Sequence, residues 1–313
     1  MRAISVSEYQ GDARLGEHDK PTAGPGEILI KVQAAGMNPI DRAIASGAFS
    51  EVYPATFPLI LGVDVAGVVE VVGDGPGPYS IGDRVFGQLL KPPIGLSGAY
   101  AEYATVAMDA NLAIVPDAVS SEVAATLPTP GVTALQLARS LEPSAAKTIA
   151  LIGAGGAVGG MFSQLLVASG ARVLAVVLPL QADRVRSYGA EVMDSTATPT
   201  DHIRRAAPNG VDVLVDLVSD PEQFAALADI VRPGGTAIST RYAGDIESLA
   251  KKDVQGVNFV VQVTTADLQS VAALATSGQL VPPPIRTVRF EDVPDLLNAG
   301  GDGFDGKTVL RPE

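Results

Sequence analysis

The chain of 313 residues contains no cysteine and no tryptophan, and its only histidines are His18 and His202. Without thiols there can be no disulfide, no thiolate nucleophile and no zinc site built on sulfur. Two histidines exclude a multi-histidine metal site, and a Ser-His-Asp hydrolase would have to use one of them. Charge is scarce too, at 18% of residues, against about 25% in an average soluble domain. It is also lopsided, with 22 Lys and Arg against 35 Asp and Glu and a formal net charge of −13. Such a surface repels phosphate backbones and anionic lipid, so no nucleic acid and no membrane surface is expected as a partner. Hydrophobic residues, by contrast, make up 47% of the chain. That is enough for a large buried core, spread over roughly two domains at this length.

The first residues, MRAISVSEYQGDARLG, reach Glu8 and Asp12 before an apolar segment can form. They do not read as a secretory leader, and a cytoplasmic location is expected. Residues 148–171 contain no charge, a length that on paper could span a bilayer. Six glycines interrupt the run, at 153, 155, 156, 159, 160 and 170, together with Ser163, Gln164 and Ser169. A buried strand, a glycine turn and a buried helix account for it better, because such a unit cannot satisfy its backbone in lipid.

The first third has the texture of short strands and turns: ILIKVQAAG, LILGVDVAGVVEVVGDG, IGDRVFG and AYAEYATV. Glycines within β-branched runs suggest bent strands around a small barrel. The texture changes near Ser120. A helix start is expected at Ser120 or Ser121, then a Pro-Gly interruption, then a second helix over residues 133–141. From residue 148, strands and helices alternate: TIALIGA, RVLAVVL, EVMDS, VDVLVDLV and TAIST are read as strands, with NFVVQV as the sixth. Alternation of this kind predicts a parallel sheet covered on both faces. The tail, with VPPPI and KTVLRP, returns to strand-like material.

The most informative segment is TIALIGAGGAVGGM, residues 148–161. An apolar strand runs into Gly153, and a helix begins near Ala157. The free N–H groups at a helix start offer a phosphate both donors and positive potential, provided that no side chain blocks the approach. The familiar G-x-G-x-x-G spelling fails because residue 158 is valine; the register is Gly153-x-x-Gly156-x-x-Gly159. The strand before and the helix after supply the context a dinucleotide site demands. An acid about 20 positions after the first glycine would grip the ribose hydroxyls of NAD. Here the region reads VLAVVLPLQAD, with no acid at the strand end. Arg184 and Arg186 could instead reach a 2′-phosphate, which favours NADP(H); their other reading is a solvated helix face.

Taken together, the segments resemble the medium-chain dehydrogenase/reductase superfamily, in its zinc-free quinone oxidoreductase (zeta-crystallin-like) branch. The segments that carry the likeness, in order, are AAGMNPID (34–41), PLILGVDVAG (58–67), GDRVFG (82–87), GAYAEY (98–103), LPTPGVTA (127–134), the glycine turn, DVLVDLVS (212–219), RPGGTAIS (232–239) and GKTVL (306–310). Where zinc-bearing relatives have Gly-His-Glu this chain has Gly62-Val63-Asp64, so a zinc ligand is missing and no metal is expected. The resemblance implies an α/β architecture, a Rossmann doubly wound parallel sheet inserted into a β-rich GroES-like barrel domain. The expected borders are 1–120 with 279–313 for the catalytic domain and 121–278 for the dinucleotide domain. By position, Asn38, Asp41 and Thr133 would line the nicotinamide end. Gly156, Ala157 and Val158 would face the pyrophosphate, beside Gly153 and Gly159. Val218, Ser219, Ser239 and Arg241 would border the riboses, with Arg184 as the candidate 2′-phosphate contact. Two departures stand out: Gln181 replaces a frequent basic residue, and Ser195 a frequent tyrosine.

The implied activity is NADPH-dependent, zinc-independent hydride transfer to a quinone or an α,β-unsaturated carbonyl, in a homodimer joined through edge strands near residues 259–263. The alternatives are an enoyl-thioester reductase and a non-catalytic NADPH-binding structural or interaction protein. Asn38, Asp41 and Tyr53 are the catalytic candidates. Asn38 is read as an amide donor, or else as a turn-stabilising residue before Pro39. Asp41 is read as an orienting or helix-capping group. Tyr53 is read as a substrate-side donor or stacking group, or else as a half-buried loop aromatic. Asp64 is read as a buried hydrogen-bonding acid in the place of metal-site architecture.

Overall fold

The computed structural model describes residues 1–91, 93–141, 146–194, 199–299 and 304–312. Two compact units emerge: Met1–Val132 with Val263–Gly278 and Pro282–Glu313, and Thr133–Gln262 with Gln279–Val281. The first unit extends past the expected border at residue 120 and takes in residues 263–278. The latter include the helix Thr265–Thr276, which packs against the strand Leu112–Ile114.

The first unit is built on the strand Glu27–Gly36. It pairs antiparallel with Asp64–Val72, Tyr103–Ala107 and Lys307–Arg311. Its sequence EILIKVQAAG explains the central place. Lys31 and Gln33 stay at the surface, while Ile28, Ile30, Val32, Ala34 and Ala35 are buried, the alternation of an antiparallel strand with one face partly open to solvent. Two register shifts, at Leu29/Ile30 and Val32/Ala34, bend it against Asp64–Val72, in line with the bent barrel strands expected. A second sheet joins Arg14–Glu17, Arg2–Val6 and Leu59–Ile60.

Among the described residues, the second unit holds a sheet of six parallel strands. In spatial order they are Glu191–Asp194, Arg172–Val177, Thr148–Ile152, Val211–Asp216, Val231–Ser239 and Gln255–Asn258. The first strand of the series lies inside the sheet. The chain moves outward from it in one direction and then in the other. Crossover connections therefore diverge above the ends of Thr148–Ile152 and Val211–Asp216, the place where doubly wound sheets open a crevice for ligands.

Two local expectations are corrected. Pro130-Gly131 does not interrupt a helix; one helix runs through Pro128–Ser140. Both prolines fall in its first turn, where a backbone N–H has no intrahelical acceptor to lose. The sixth strand is Gln255–Asn258 rather than NFVVQV. Its pairing ends at Ser239↔Asn258, because the neighbouring strand itself stops at Ser239. Residues 259–263 therefore carry no strand, and the sheet edge expected near them is formed by Gln255–Asn258 instead. Ser195 lies outside the described residues. The uncharged run 148–171 is a strand, a turn and the helix Ala157–Ala168, and no described helix is long and apolar enough to cross a membrane.

Gly62 connects Leu59–Ile60 to Asp64–Val72 with φ +93°, and a Cβ there would overlap the Tyr100 ring and lie 2.7 Å from the Tyr100 backbone nitrogen. Gly62→Ala is expected to lower unfolding stability by about 3 kcal/mol, since strain and overlap act together. A urea denaturation midpoint unchanged from wild type would contradict this packing.

Candidate functional site

In the second unit the strand Thr148–Ile152 turns at Gly153, whose φ of +81° is one that L side chains rarely adopt. The helix Ala157–Ala168 starts immediately afterwards, with Gly156 as N-cap in extended geometry and no side chain capping it. Its first N–H groups belong to Ala157, Val158 and Gly159, and helical geometry gives them no acceptor of their own. A Cβ added to Gly156 would meet nothing closer than the Gly153 carbonyl at 3.5 Å. That side of the bend is open. Gly159 is tight: a Cβ there would overlap the Gly153 carbonyl and sit 2.6 Å from Ala154 Cα, so glycine lets the helix close on the strand end. The bend thus fits a diphosphate on the exposed side of Gly156.

The groups around the bend come from neighbouring strand ends. Asp216 Oδ1 accepts from Val218 N and Ser219 N, both at 2.9 Å, and shapes that loop. Ser239 Oγ accepts from Arg241 N and Ala243 N, both at 3.1 Å, and shapes the next. Arg184 Nη2 donates to Gly155 O at 2.6 Å, so its guanidinium lies on the bend itself. Arg186 pairs with Asp183 at 2.5 Å on the exposed helix face. Gln181 packs against Gly155. The strand Arg172–Val177 is followed by Leu178, with no acid there.

The first unit contains a buried polar centre. The strand Lys307–Arg311 pairs through Val309↔Gly36 and Leu310↔Ala35, and Met37 N donates to Thr308 O at 3.0 Å, which sets Lys307 beside Asn38. Asn38 precedes the helix Pro39–Ala45, and Asp41 in its first turn takes a hydrogen bond from Asn38 N at 2.7 Å. Asp41 also accepts from Val63 N at 3.0 Å and from Tyr100 Oη at 2.7 Å. Asp64 accepts from Thr129 Oγ1 at 2.7 Å, from Thr129 N at 3.1 Å and from Asn38 Nδ2 at 2.8 Å. Gln88 Nε2 donates to Thr129 Oγ1 at 2.7 Å, and Lys307 Nζ donates to Asn38 Oδ1. Relative exposure is 0% for Asp41 and Asp64, 4% for Lys307 and 8% for Asn38. Burying charge is costly unless it is paired or hydrogen-bonded, and here each charged group is hydrogen-bonded, Lys307 to an amide oxygen.

Of the catalytic candidates, the structure joins Asn38 and Asp41, and it adds Asp64, Tyr100, Thr129 and Lys307. Tyr53 takes no part in these hydrogen bonds. Its ring is half-buried against the core, edge-on to Phe49 at 6.3 Å. Thr133 lies one turn beyond Thr129 on the same helix and is buried. Asn38, read as an amide donor, donates within the chain: its Nδ2 hydrogens go to Asp64 and to Gly36 O at 3.1 Å. Lys307 was missed by the sequence reading. The available signal was a lysine heading an otherwise buried strand, KTVL. The centre does not suit a divalent cation, because its carboxylates face donors and an ammonium group already stands beside them. Among the described residues, no cluster of three or more His, Asp or Glu is placed to hold a metal.

Burial raises the Asp41 carboxyl from 3.8 to about 6, against the pull of the Tyr100 and Asn38 hydrogen bonds. Burial also raises Asp64 and lowers Lys307, each opposed by the charge of the other. An acid with a higher value when folded binds more protons folded than unfolded, so its contribution to stability is lost as pH rises through about 6. The surface carboxylates held low, Glu102, Glu191 and Asp212 among them, act in the opposite sense, below their ordinary 3.8 or 4.5. Wild type is therefore expected to gain roughly 1 kcal/mol between pH 7 and pH 5 from Asp41. In Asp41→Asn, a less stable protein, that gain should be absent. Chemical denaturation at the two pH values reads both, and parallel slopes in the two proteins would contradict the assignment.

With this geometry in hand, comparison with known proteins is informative. Residues 24–117 match the alcohol dehydrogenase GroES-like domain family and residues 188–297 the zinc-binding dehydrogenase family. The quinone oxidoreductase of Mus musculus is 32% identical over 294 residues, covering 89% of this chain and 86% of that protein. A trans-enoyl reductase of Petromyces alliaceus is 34% identical over 253 residues, covering 75% and 68%. The solved quinone oxidoreductase of Pseudomonas syringae superposes with a TM-score of 0.85 at 26% identity, over 99% of each chain. A parallel nucleotide sheet, a β-rich partner unit and near full-length kinship point the same way, and the chain belongs to the medium-chain dehydrogenase/reductase superfamily, as an oxidoreductase of its quinone oxidoreductase-like branch.

Proposed function

We propose that the protein transfers hydride from NADPH to a quinone or an α,β-unsaturated carbonyl, without zinc. The observation that carries this reading is the open bend at Gly156, before a helix whose N-terminus no side chain caps. In the proposal, the amides of Ala157, Val158 and Gly159 bind the diphosphate, Gly153 and Gly156 keep the approach clear, and the loops at Val218–Ser219 and Ser239–Arg241 flank the riboses. The nicotinamide, when bound, supplies the hydride, so the protein's task is binding, orientation and exclusion of water. Asn38, Asp41 and Thr133 are assigned to the nicotinamide end. There Asn38 acts as a held surface rather than as a hydrogen-bond donor, because its amide hydrogens are committed.

The preference for NADPH is supported by the missing acid after Val177 and by Arg184, whose guanidinium lies on the bend within the same unit. Arg186 contributes less, since Asp183 neutralises it. A second reading, reduction of an enoyl thioester, is favoured by the likeness to the trans-enoyl reductase. An acceptor panel of simple quinones, enones and an enoyl thioester separates the two, with turnover expected on the first two classes. Calorimetric titration is expected to show NADPH binding at least tenfold tighter than NADH; the reverse order would remove the phosphate assignment.

Gly156→Asp tests the bend itself. Its φ of −72° suits any residue, aspartate is a favoured N-cap, and the added Cβ meets open space. Melting should therefore stay within a few degrees of wild type while the new carboxylate repels the diphosphate. NADPH affinity is expected to fall by about a hundredfold, and undiminished binding would move the nucleotide elsewhere.

A further inference from the structure

Lys307 presents a chemical problem that the proposed function leaves unused. A buried ammonium is costly unless paired, and burial lowers its proton affinity while Asp64 and Asp41 raise it again. Its Nζ donates not to a carboxylate but to the amide oxygen of Asn38. An ammonium can only donate, so that contact admits one orientation of the Asn38 amide. Oδ1 faces Lys307, and Nδ2 faces Asp64 Oδ2 at 2.8 Å and Gly36 O at 3.1 Å. The backbone of Asn38 is pinned at the same time through Asn38 N to Asp41 Oδ2. Every polar atom by which Asn38 could shift or flip is thus held, and Lys307, from a strand 269 positions away, holds the one that Asp64 does not.

We propose that Lys307 is a positioning residue for the hydride transfer, fixing the Asn38 amide and the turn into Pro39–Ala45. This rests on the assignment of Asn38 to the nicotinamide end. Displacement of a reacting group by about 1 Å costs on the order of a hundredfold in rate. The effect should therefore appear in kcat and not in nucleotide affinity, which the proposed function assigns to the amides of residues 157–159.

Removing Lys307 alone would leave Asp64 buried and uncompensated, so the test is made in an Asp64→Asn background. The substituted amide can still accept from Asn38 Nδ2, and Lys307 still donates to Asn38. Full-length wild type, Asp64→Asn and Asp64→Asn/Lys307→Met are compared by NADPH oxidation with a simple quinone, NADPH titration and thermal melting. The ratio of kcat between the single and the double variant is expected to be tenfold to a hundredfold, with NADPH Kd within threefold and both proteins folded. Lys307→Arg in the same background keeps a cation and donors, and is expected to recover most of the loss. Equal kcat in the single and the double variant overturns the proposal. So does a double variant that loses the fold while Asp64→Asn keeps it, which assigns Lys307 to folding alone. An active wild type beside equally active variants defeats this proposal only; an inactive wild type defeats the reading of the site and this proposal with it.

Discussion

A diphosphate can be held by backbone alone only where the chain turns sharply, carries no Cβ on the approach side and begins a helix at once. The segment between Ile152 and Ala157 meets all three conditions. Gly153 turns with positive φ, Gly156 leaves open space, and Gly159 lets the helix close on the strand end. The surrounding sheet serves that geometry. Its central strands end beside the bend, and Asp216 and Ser239 use their side chains on loop amides, which stiffens the neighbouring loops. The groups the proposal assigns to the diphosphate are backbone N–H groups, with Arg184 as the one cation placed on the bend by a hydrogen bond to Gly155 O. A chain with a formal charge of −13 can thus attract an anion locally through the helix terminus without any basic cluster.

The first unit answers a different constraint. Related zinc-bearing enzymes would place a metal ligand where this chain has Val63. Here the space around Asp64 is organised by Lys307, Asn38 and Thr129, a centre built of protein charge. Two carboxylates and one ammonium in a buried cluster are tolerable only because nearly every lone pair finds a donor. Burial is what drives the Asp41 carboxyl to about 6, with the charge of Asp64 adding to it. Specific geometry is what such an arrangement secures; apolar residues of the same volume would serve stability as well or better.

Much of this was readable from sequence, and unevenly so. The strand, glycine turn and helix at 148–168 were legible because their signals are local: an apolar run, glycines in a fixed register, a helical pattern. Asn38 and Asp41 were legible as a turn and a first-turn acid around Pro39. The bond from Lys307 to Asn38 was not, since nothing local marks partners that far apart; only a charge in a buried strand hinted at it. Residues 259–263 misled because an apolar run resembles a strand whether or not a neighbour extends far enough to pair with it. Pro130-Gly131 misled for the opposite reason, a breaker that is harmless in a first turn. Asn38 was legible as an amide donor, but its acceptors, Asp64 and Gly36, were not, because the sequence cannot show what stands beside it.

Amide hydrogen exchange of the full-length protein with and without NADPH tests the central claim most directly. The account predicts slowed exchange concentrated in residues 153–160, where the bare amides of the bend would gain an acceptor. Unchanged exchange there, with protection appearing only at surface segments remote from the sheet ends, would contradict it.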